Sequence, residues 1–207
     1  MPSSRTEAFS DGVFAVAITL LVLNVDVPRS GGGPLQHALT ALWPSYAAYV
    51  VSFMTIGIMW VNHHAVFRCI RVVDRPLQFI NLFLLMIITF IPFPTSLLGR
   101  YIQASRDSGL AAGVYGLVML LMSIGFSALW AYAVYHPELL AEGIDPRAAR
   151  ATLPRFASGI IVYAVCIGIA FISAKLSLAA FALIDGYYIF NQIDLSAGPD
   201  QLSLEAT

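Results

Sequence analysis

Long stretches without a charged residue constrain this sequence more than any other feature. Only 11% of the 207 residues are charged and 58% are hydrophobic, whereas soluble domains carry about 25% charged residues. The charges are clustered, and they leave apolar segments of the length that crosses a bilayer, which is about 20 residues for about 30 Å of hydrocarbon. The sequence therefore predicts an all-α integral membrane bundle.

Six hydrophobic segments are predicted to span the membrane. Their approximate bounds are Phe9 to Val27, Ala38 to Asn62, Leu77 to Leu98, Leu110 to Tyr135, Phe156 to Ser173 and Leu176 to Phe190. Together they predict a single transmembrane domain over residues 1–195, followed by a polar cytoplasmic tail over 196–207. The third segment contains Pro92 and Pro94, which membrane helices tolerate.

Small residues in the fourth segment predict close contacts between helices, because they let helix backbones approach each other in lipid. They are Gly113, Gly116, Ser123, Gly125 and Ser127. Cys69 and Cys166 are far apart and lie in or beside apolar segments, so we interpret them as packing thiols. A net charge of −1 gives no reason to expect a nucleic-acid partner.

The first segment is expected to be part of the mature protein. Arg5 precedes it, but no small-x-small cleavage site follows its apolar stretch, as a signal peptide would require. With six spans both termini lie on one side of the membrane. That side carries seven Lys and Arg residues and the other carries four, so both termini are predicted to be cytoplasmic.

Two polar residues, Ser10 and Asp11, lie within the first apolar segment. An acidic group at the centre of a membrane helix costs about 2.5–3.5 kcal/mol unless it is paired. One interpretation is that Ser10 and Asp11 cap the start of the helix. The other is that they are paired within the bundle near one end of the helix.

Further along the same helix, Val16, Thr19, Leu20 and Leu23 recur at i, i+3, i+4 and i+7, which places them on one stripe. Thr19 carries the only hydroxyl of this stretch. Its hydroxyl either bonds a backbone carbonyl one turn back or has a role on the exposed stripe. The pattern alone leaves both interpretations open.

The whole helix resembles the signature of the transmembrane-protein-175 (TMEM175) family of potassium channels. The resemblance begins with Arg5-x-x-x-Phe9-Ser10-Asp11 and continues through the apolar stretch from Gly12 to Leu23. It extends to Trp60-x-Asn62-His63-His64 and to the segment Phe90-Ile-Pro-Phe-Pro-Thr95. These motifs cover roughly the first hundred residues.

The resemblance implies a prokaryotic, single-repeat member that assembles as a homotetramer in the cell membrane around a central potassium pore. The pore-lining residues would be Val16, Thr19, Leu20 and Leu23, with the constriction at Val16 and transient K⁺ contact at Thr19. Val16 departs from the bulkier Ile or Leu usual at that position. The sequence contains no Thr-Val-Gly-Tyr-Gly filter loop, so side chains would provide the selectivity.

The resemblance also implies a polar network that holds the first helix against the second and third spans near the cytoplasmic end. Its expected members are Arg5, Phe9, Ser10, Asp11, Trp60, Asn62, His63, His64 and Asn81. The partner expected for Asp11 is an arginine or a histidine.

Other functions have less support in the sequence. A proton-coupled or other cation transporter needs ionisable groups near the midplane, and the central level is nearly free of charge. An enzyme built on His63 and His64 lacks a nucleophile, and adjacent helical residues point about 100° apart, which disfavours a shared metal. We therefore expect neither an enzyme nor a cofactor. Asp185, in the sixth segment, either bonds within the bundle or marks a helix end.

Overall fold

The computed structural model describes residues 2–28, 34–104 and 106–190, and nearly all of them are helical. In these ranges the only extended pairings are the isolated bridges Pro2–Val72 and Ile70–Leu140. The helices are α1 Ser3–Leu20, α2 Leu35–Ala41, α3 Trp43–Arg68, α4 Arg75–Phe90, α5 Pro92–Tyr101, α6 Ser108–Tyr135, α7 Pro146–Ala151, α8 Leu153–Ile172 and α9 Ala174–Phe190. A 3₁₀ turn, Leu21–Asn24, continues α1.

Five helical segments are long and apolar enough to cross a membrane. They are Ser3–Asn24, Trp43–Arg68, Arg75–Tyr101, Ser108–Tyr135 and Pro146–Ile172. The sixth predicted span corresponds to α9, whose 17 residues give a length of about 26 Å. The prediction of an all-helical membrane bundle is confirmed. The predicted polar tail over 196–207 lies outside the described residues.

Two predicted spans are divided in the structure. The second was predicted to start near Ala38, but a turn at Leu42 separates the short α2 from α3, and Pro44 lies in the first turn of α3. The third is interrupted at Ile91, where the amide of Ile91 donates to Ile88 in a 3₁₀ turn. Pro92 has no amide hydrogen to continue the α-helical pattern, so a new helix begins there.

The ends of α1 are fixed by hydrogen bonds to other parts of the chain. At its start the Ser3 amide donates to the carbonyl of Arg71, in the segment between α3 and α4, at 3.3 Å. At its far end the Asn24 side-chain amide donates to the carbonyl of Pro92 at 2.9 Å. The interruption between α4 and α5 therefore provides the acceptor that holds the outer end of the first helix.

The centre of the bundle is α6, which packs along α8 through small residues, as predicted. A Cβ atom at Gly116 would lie 2.7 Å from Cγ1 of Ile167, and one at Gly113 would lie 3.3 Å from the ring of Phe171. Ser127 donates to the carbonyl of Phe156 at 3.0 Å. These contacts place the two backbones too close together for larger side chains.

Candidate functional site

One face of α1 is buried against the rest of the bundle. Its buried residues are Thr6, Ser10, Phe14 and Ala17, and Leu21 continues the same stripe into the 3₁₀ turn. This stripe packs on α3 and α4. The orientation of the whole first helix is therefore set by residues that include the two polar positions Thr6 and Ser10.

The opposite side of α1 is uncovered in the single chain. Val16 is 55% exposed, Leu20 is 40% exposed and Leu23 is 76% exposed, and Thr19 is also exposed. These are the residues predicted to line a pore. A large apolar surface of this kind is covered by lipid or by another subunit in a membrane protein.

Thr19 forms the backbone contacts that one interpretation of the sequence predicted. Its hydroxyl lies 2.9 Å from the carbonyl of Ala15 and 2.9 Å from that of Val16. A hydroxyl has one hydrogen and two acceptor lone pairs. Because the hydrogen is directed back at the helix, the lone pairs of the exposed oxygen stay available on the stripe.

A chain of buried hydrogen bonds joins α1 to α4 and α3. The side-chain amide of Asn81 donates to the Ser10 hydroxyl oxygen at 3.0 Å, and the Ser10 hydroxyl donates to the carbonyl of Thr6 at 2.9 Å. The carbonyl oxygen of Asn81 lies 2.9 Å from Nε2 of His63. Because the NH₂ group of Asn81 donates to Ser10, the group that faces His63 is the carbonyl oxygen, which can only accept. His63 therefore carries a hydrogen on Nε2.

The ring of His63 is also enclosed by aromatic side chains. It stacks on Phe67 with centroids 4.4 Å apart and meets Phe14 of α1 edge-on at 5.3 Å. His63 is completely buried. It therefore links the buried face of α1 to α3 by packing as well as through Asn81.

A second row of contacts joins α1 to α3 nearer the surface. The indole of Trp60 donates to the Asp11 carboxylate at 2.9 Å, and Nδ1 of His64 contacts the Glu7 carboxylate. Glu7 and Asp11 are one turn apart on α1, and Trp60 and His64 are one turn apart on α3. The two helices are antiparallel at this end, so the pairs match in register.

The structure thus brings together Ser10, Asp11, Trp60, His63, His64 and Asn81. Arg5 and Phe9 lie beside this set, where both border a groove that Asn81 also lines. Asn62 does not join it, contrary to the prediction, because adjacent residues of a helix point about 100° apart. It faces another cavity, together with Tyr163 and Tyr188.

The structure decides between the two interpretations of Ser10 and Asp11 and corrects the partner expected for Asp11. Ser10 and Asp11 do not cap the first helix, because α1 begins at Ser3, two turns earlier. Asp11 pairs with the indole of Trp60 and not with an arginine or a histidine. Glu7 was missed, although its one-turn spacing from Asp11 matched that of Trp60 and His64.

This arrangement coincides with the part of the chain that matches a known family. A model of the endosomal/lysosomal potassium channel TMEM175 matches residues 5–92. A potassium channel of Streptomyces collinus is 54% identical over 192 residues, which are 92% of this chain and 93% of that protein. The chain belongs to the TMEM175 family.

Other TMEM175 proteins extend the comparison. The crystal structure of a lysosomal potassium-selective channel TMEM175 homolog from Chamaesiphon minutus has a TM-score of 0.81 and 38% identity. The match covers 91% of this chain and 96% of that one. The human endosomal/lysosomal proton channel TMEM175 is 32% identical over 155 residues, which are 70% of this chain and 30% of the human protein.

The matched region contains the elements that hold the TMEM175 first helix in place. It includes α1, α3 and α4, and with them each contact of Ser10, Asp11, Glu7 and His63 described above. Within the described residues, no three His, Cys, Asp or Glu side chains are grouped as metal ligands. His63 and His64 point to different partners, Asn81 and Glu7.

Proposed function

We propose that the protein is a potassium channel of the cell membrane, in which the first helices of a homotetramer line one central pore. Both termini would face the cytoplasm. The observation that carries this proposal is the uncovered stripe of α1, where apolar side chains flank a single exposed hydroxyl. The names of the relatives agree with it, since proteins matched over nine-tenths of this chain are called potassium channels.

The buried face of α1 supports the assignment of the stripe. Ser10, Phe14 and Ala17 are buried within the subunit, so α1 cannot rotate to turn its other side inward without breaking the Asn81 chain. What remains for assembly is the side with Val16, Thr19 and Leu23. If the α1 helices of four subunits packed together, each would turn this side toward a common axis.

Thr19 is the residue that we assign to cation selection. Its hydrogen is directed at the carbonyls of Ala15 and Val16, which leaves oxygen lone pairs on the pore side. A ring of such oxygens replaces part of the hydration shell of a passing K⁺. Because the oxygens belong to side chains and not to a rigid carbonyl loop, discrimination against Na⁺ is expected to be modest.

The apolar residues on either side of Thr19 would form the gate. Rings of Val16, Leu20 and Leu23 exclude water from a narrow pore, and a pore without water does not conduct. Val16 is smaller than the Ile or Leu that the family resemblance leads us to expect at this position. The closed constriction at this level is therefore expected to be wider than in those channels.

The experiment that tests this function compares Thr19→Val with Thr19→Ser in the purified protein reconstituted into planar bilayers. Valine preserves the shape but removes the oxygen, whereas serine keeps the oxygen. We expect the K⁺-to-Na⁺ permeability ratio, measured from reversal potentials, to fall severalfold in Thr19→Val and to stay near wild type in Thr19→Ser.

Two results would contradict the proposal. An unchanged permeability ratio in Thr19→Val would remove Thr19 from the selectivity site. Solute flux without single-channel current steps would identify a transporter, which moves its substrate through alternating conformations and not through an open pore.

A further inference from the structure

A buried carboxyl group lies at the middle of the bundle, away from α1. Asp185 is on α9 and is only 6% exposed. Its two carboxyl oxygens lie 2.9 and 3.1 Å from Oγ1 of Thr55, which is near the midpoint of α3. The contact therefore lies at about the depth of the membrane centre, where acidic side chains are rare and are commonly functional.

One hydroxyl group contacts this carboxyl group. Oγ1 of Thr55 also lies 3.0 Å from the carbonyl of Val51. A threonine hydroxyl has one hydrogen to donate, so Asp185 and Val51 compete for it. A single neutral hydroxyl shared in this way compensates little of the hydration that a carboxylate loses on burial.

A second set of hydroxyl groups lies next to Thr55. Ser52 is hydrogen-bonded to Thr95 at 2.7 Å and to Tyr115 at 3.1 Å, and Thr95 also donates to the carbonyl of Ile91 at 2.8 Å. These hydroxyl groups bond to one another and to the backbone, whereas the hydroxyl that contacts Asp185 is that of Thr55.

Within the part of the chain that the structure describes, no positively charged group acts on the Asp185 carboxyl group. The titratable groups that interact with it from neighbouring helices are Tyr115 on α6 and Tyr163 on α8, and tyrosine is neutral until about pH 10. Asp185 takes part in neither of the acid–base pairs His64–Glu7 and Arg100–Asp26. An unpaired carboxylate here would lose its hydration without compensation, whereas a protonated carboxyl group would not.

A small cavity lies on the side of Asp185 toward the end of the bundle that holds the N-terminus, although Asp185 itself does not line it. Tyr163 lines it, as do Asn62, Arg155 and Tyr188. Asn62 is two helical turns from Thr55 along α3, toward that end. The cavity has about 40 Å³ available to water, and one water needs about 10–15 Å³.

We propose that Asp185 is a proton-binding site inside each subunit, with Thr55 as its hydrogen-bonding partner and the cavity beside Asn62 as its route of exchange with solvent. The site is separate from the stripe on α1. It does not depend on the central pore or on the assignment of Thr19, so either proposal can fail without the other.

Infrared difference spectroscopy of the full-length protein in lipid nanodiscs tests this directly, because a protonated carboxyl group has its own C=O stretch. At neutral pH we expect this band in the wild type and its loss in Asp185→Asn. The matched control is Asp26→Asn, since Asp26 is an exposed, ion-paired aspartate and should contribute no such band. Transfer to D₂O should shift the Asp185 band through exchange at the cavity.

A second variant keeps the test decisive if Asp185→Asn fails to assemble. Thr55→Val removes the hydrogen-bonding hydroxyl group and should move the band to the frequency of a carboxyl group without a hydrogen bond. The proposal is overturned if no C=O band at neutral pH depends on Asp185 or Thr55. It is also overturned if the band appears only after K⁺ is removed, since the carboxylate would then be holding a cation. A band that does not shift in D₂O would overturn the exchange route.

Discussion

At the scale of single residues, Asn81 is the side chain that joins α1 to α3 through buried hydrogen bonds. Its amide serves Ser10 and its oxygen serves His63, and Nδ1 of His63 is buried with no hydrogen-bond partner in the described part of the chain. Asn81→Leu would leave Nε2 of His63 unpaired as well. We expect a loss of about 1–3 kcal/mol, seen as a lower thermal unfolding midpoint in detergent. Gln78→Leu, one turn earlier on α4, is the control, and equal midpoints for the two variants would contradict the role of Asn81.

The same residues show how far the sequence could predict the site. The motif pointed to Ser10, His63 and Asn81 because the family resemblance names those positions. It included Asn62 wrongly, because a sequence motif groups neighbours whereas a helix separates them by about 100°. The partner of Asp185 was out of reach, since the contact with Thr55 joins positions 130 residues apart and depends on how α9 packs against α3.

At the scale of helices, hydropathy predicted the spans well because their apolar length follows directly from the thickness of the bilayer. The interruption at Pro92 was not predicted, since hydropathy does not register a missing amide hydrogen. This break matters for α1, because it supplies the carbonyl that Asn24 binds. The break is therefore part of how the first helix is positioned.

Close packing of α6 on α8 gives a prediction at this same scale. In Gly116→Ala the new Cβ would lie 2.7 Å from Ile167, a side chain whose χ1 is stiff in a helix. Overpacking costs about 1–3 kcal/mol, which exceeds the gain of about 1 kcal/mol from replacing glycine in a helix. We expect a lower thermal midpoint and less assembled protein.

Gly168→Ala on α8 is the control, because nothing lies within 4 Å of its Cβ, and it should not be destabilised. If the two variants behave alike, backbone proximity at Gly116 does not limit stability.

At the scale of the whole assembly, the proposed fourfold symmetry would repeat the charges that follow the C-terminal end of α1. Asp26 lies three residues after Leu23, the last residue of the stripe. Its carboxylate pairs with Arg100 at 2.9 Å, and both side chains are about half exposed. In a tetramer this pair recurs around the proposed pore mouth, where Asp26 attracts cations and Arg100 offsets that attraction. Arg100→Gln should therefore raise single-channel K⁺ conductance in low salt. Asp26→Asn should lower it.

Both effects on conductance should shrink as salt increases, because the screening length falls from about 30 Å at 0.01 M to about 3 Å at 1 M. Arg106→Gln removes the same charge from the loop before α6, outside the Asp26–Arg100 pair, and should have little effect. A conductance in Arg100→Gln equal to that of wild type at low salt would place the ion pair outside the conduction path.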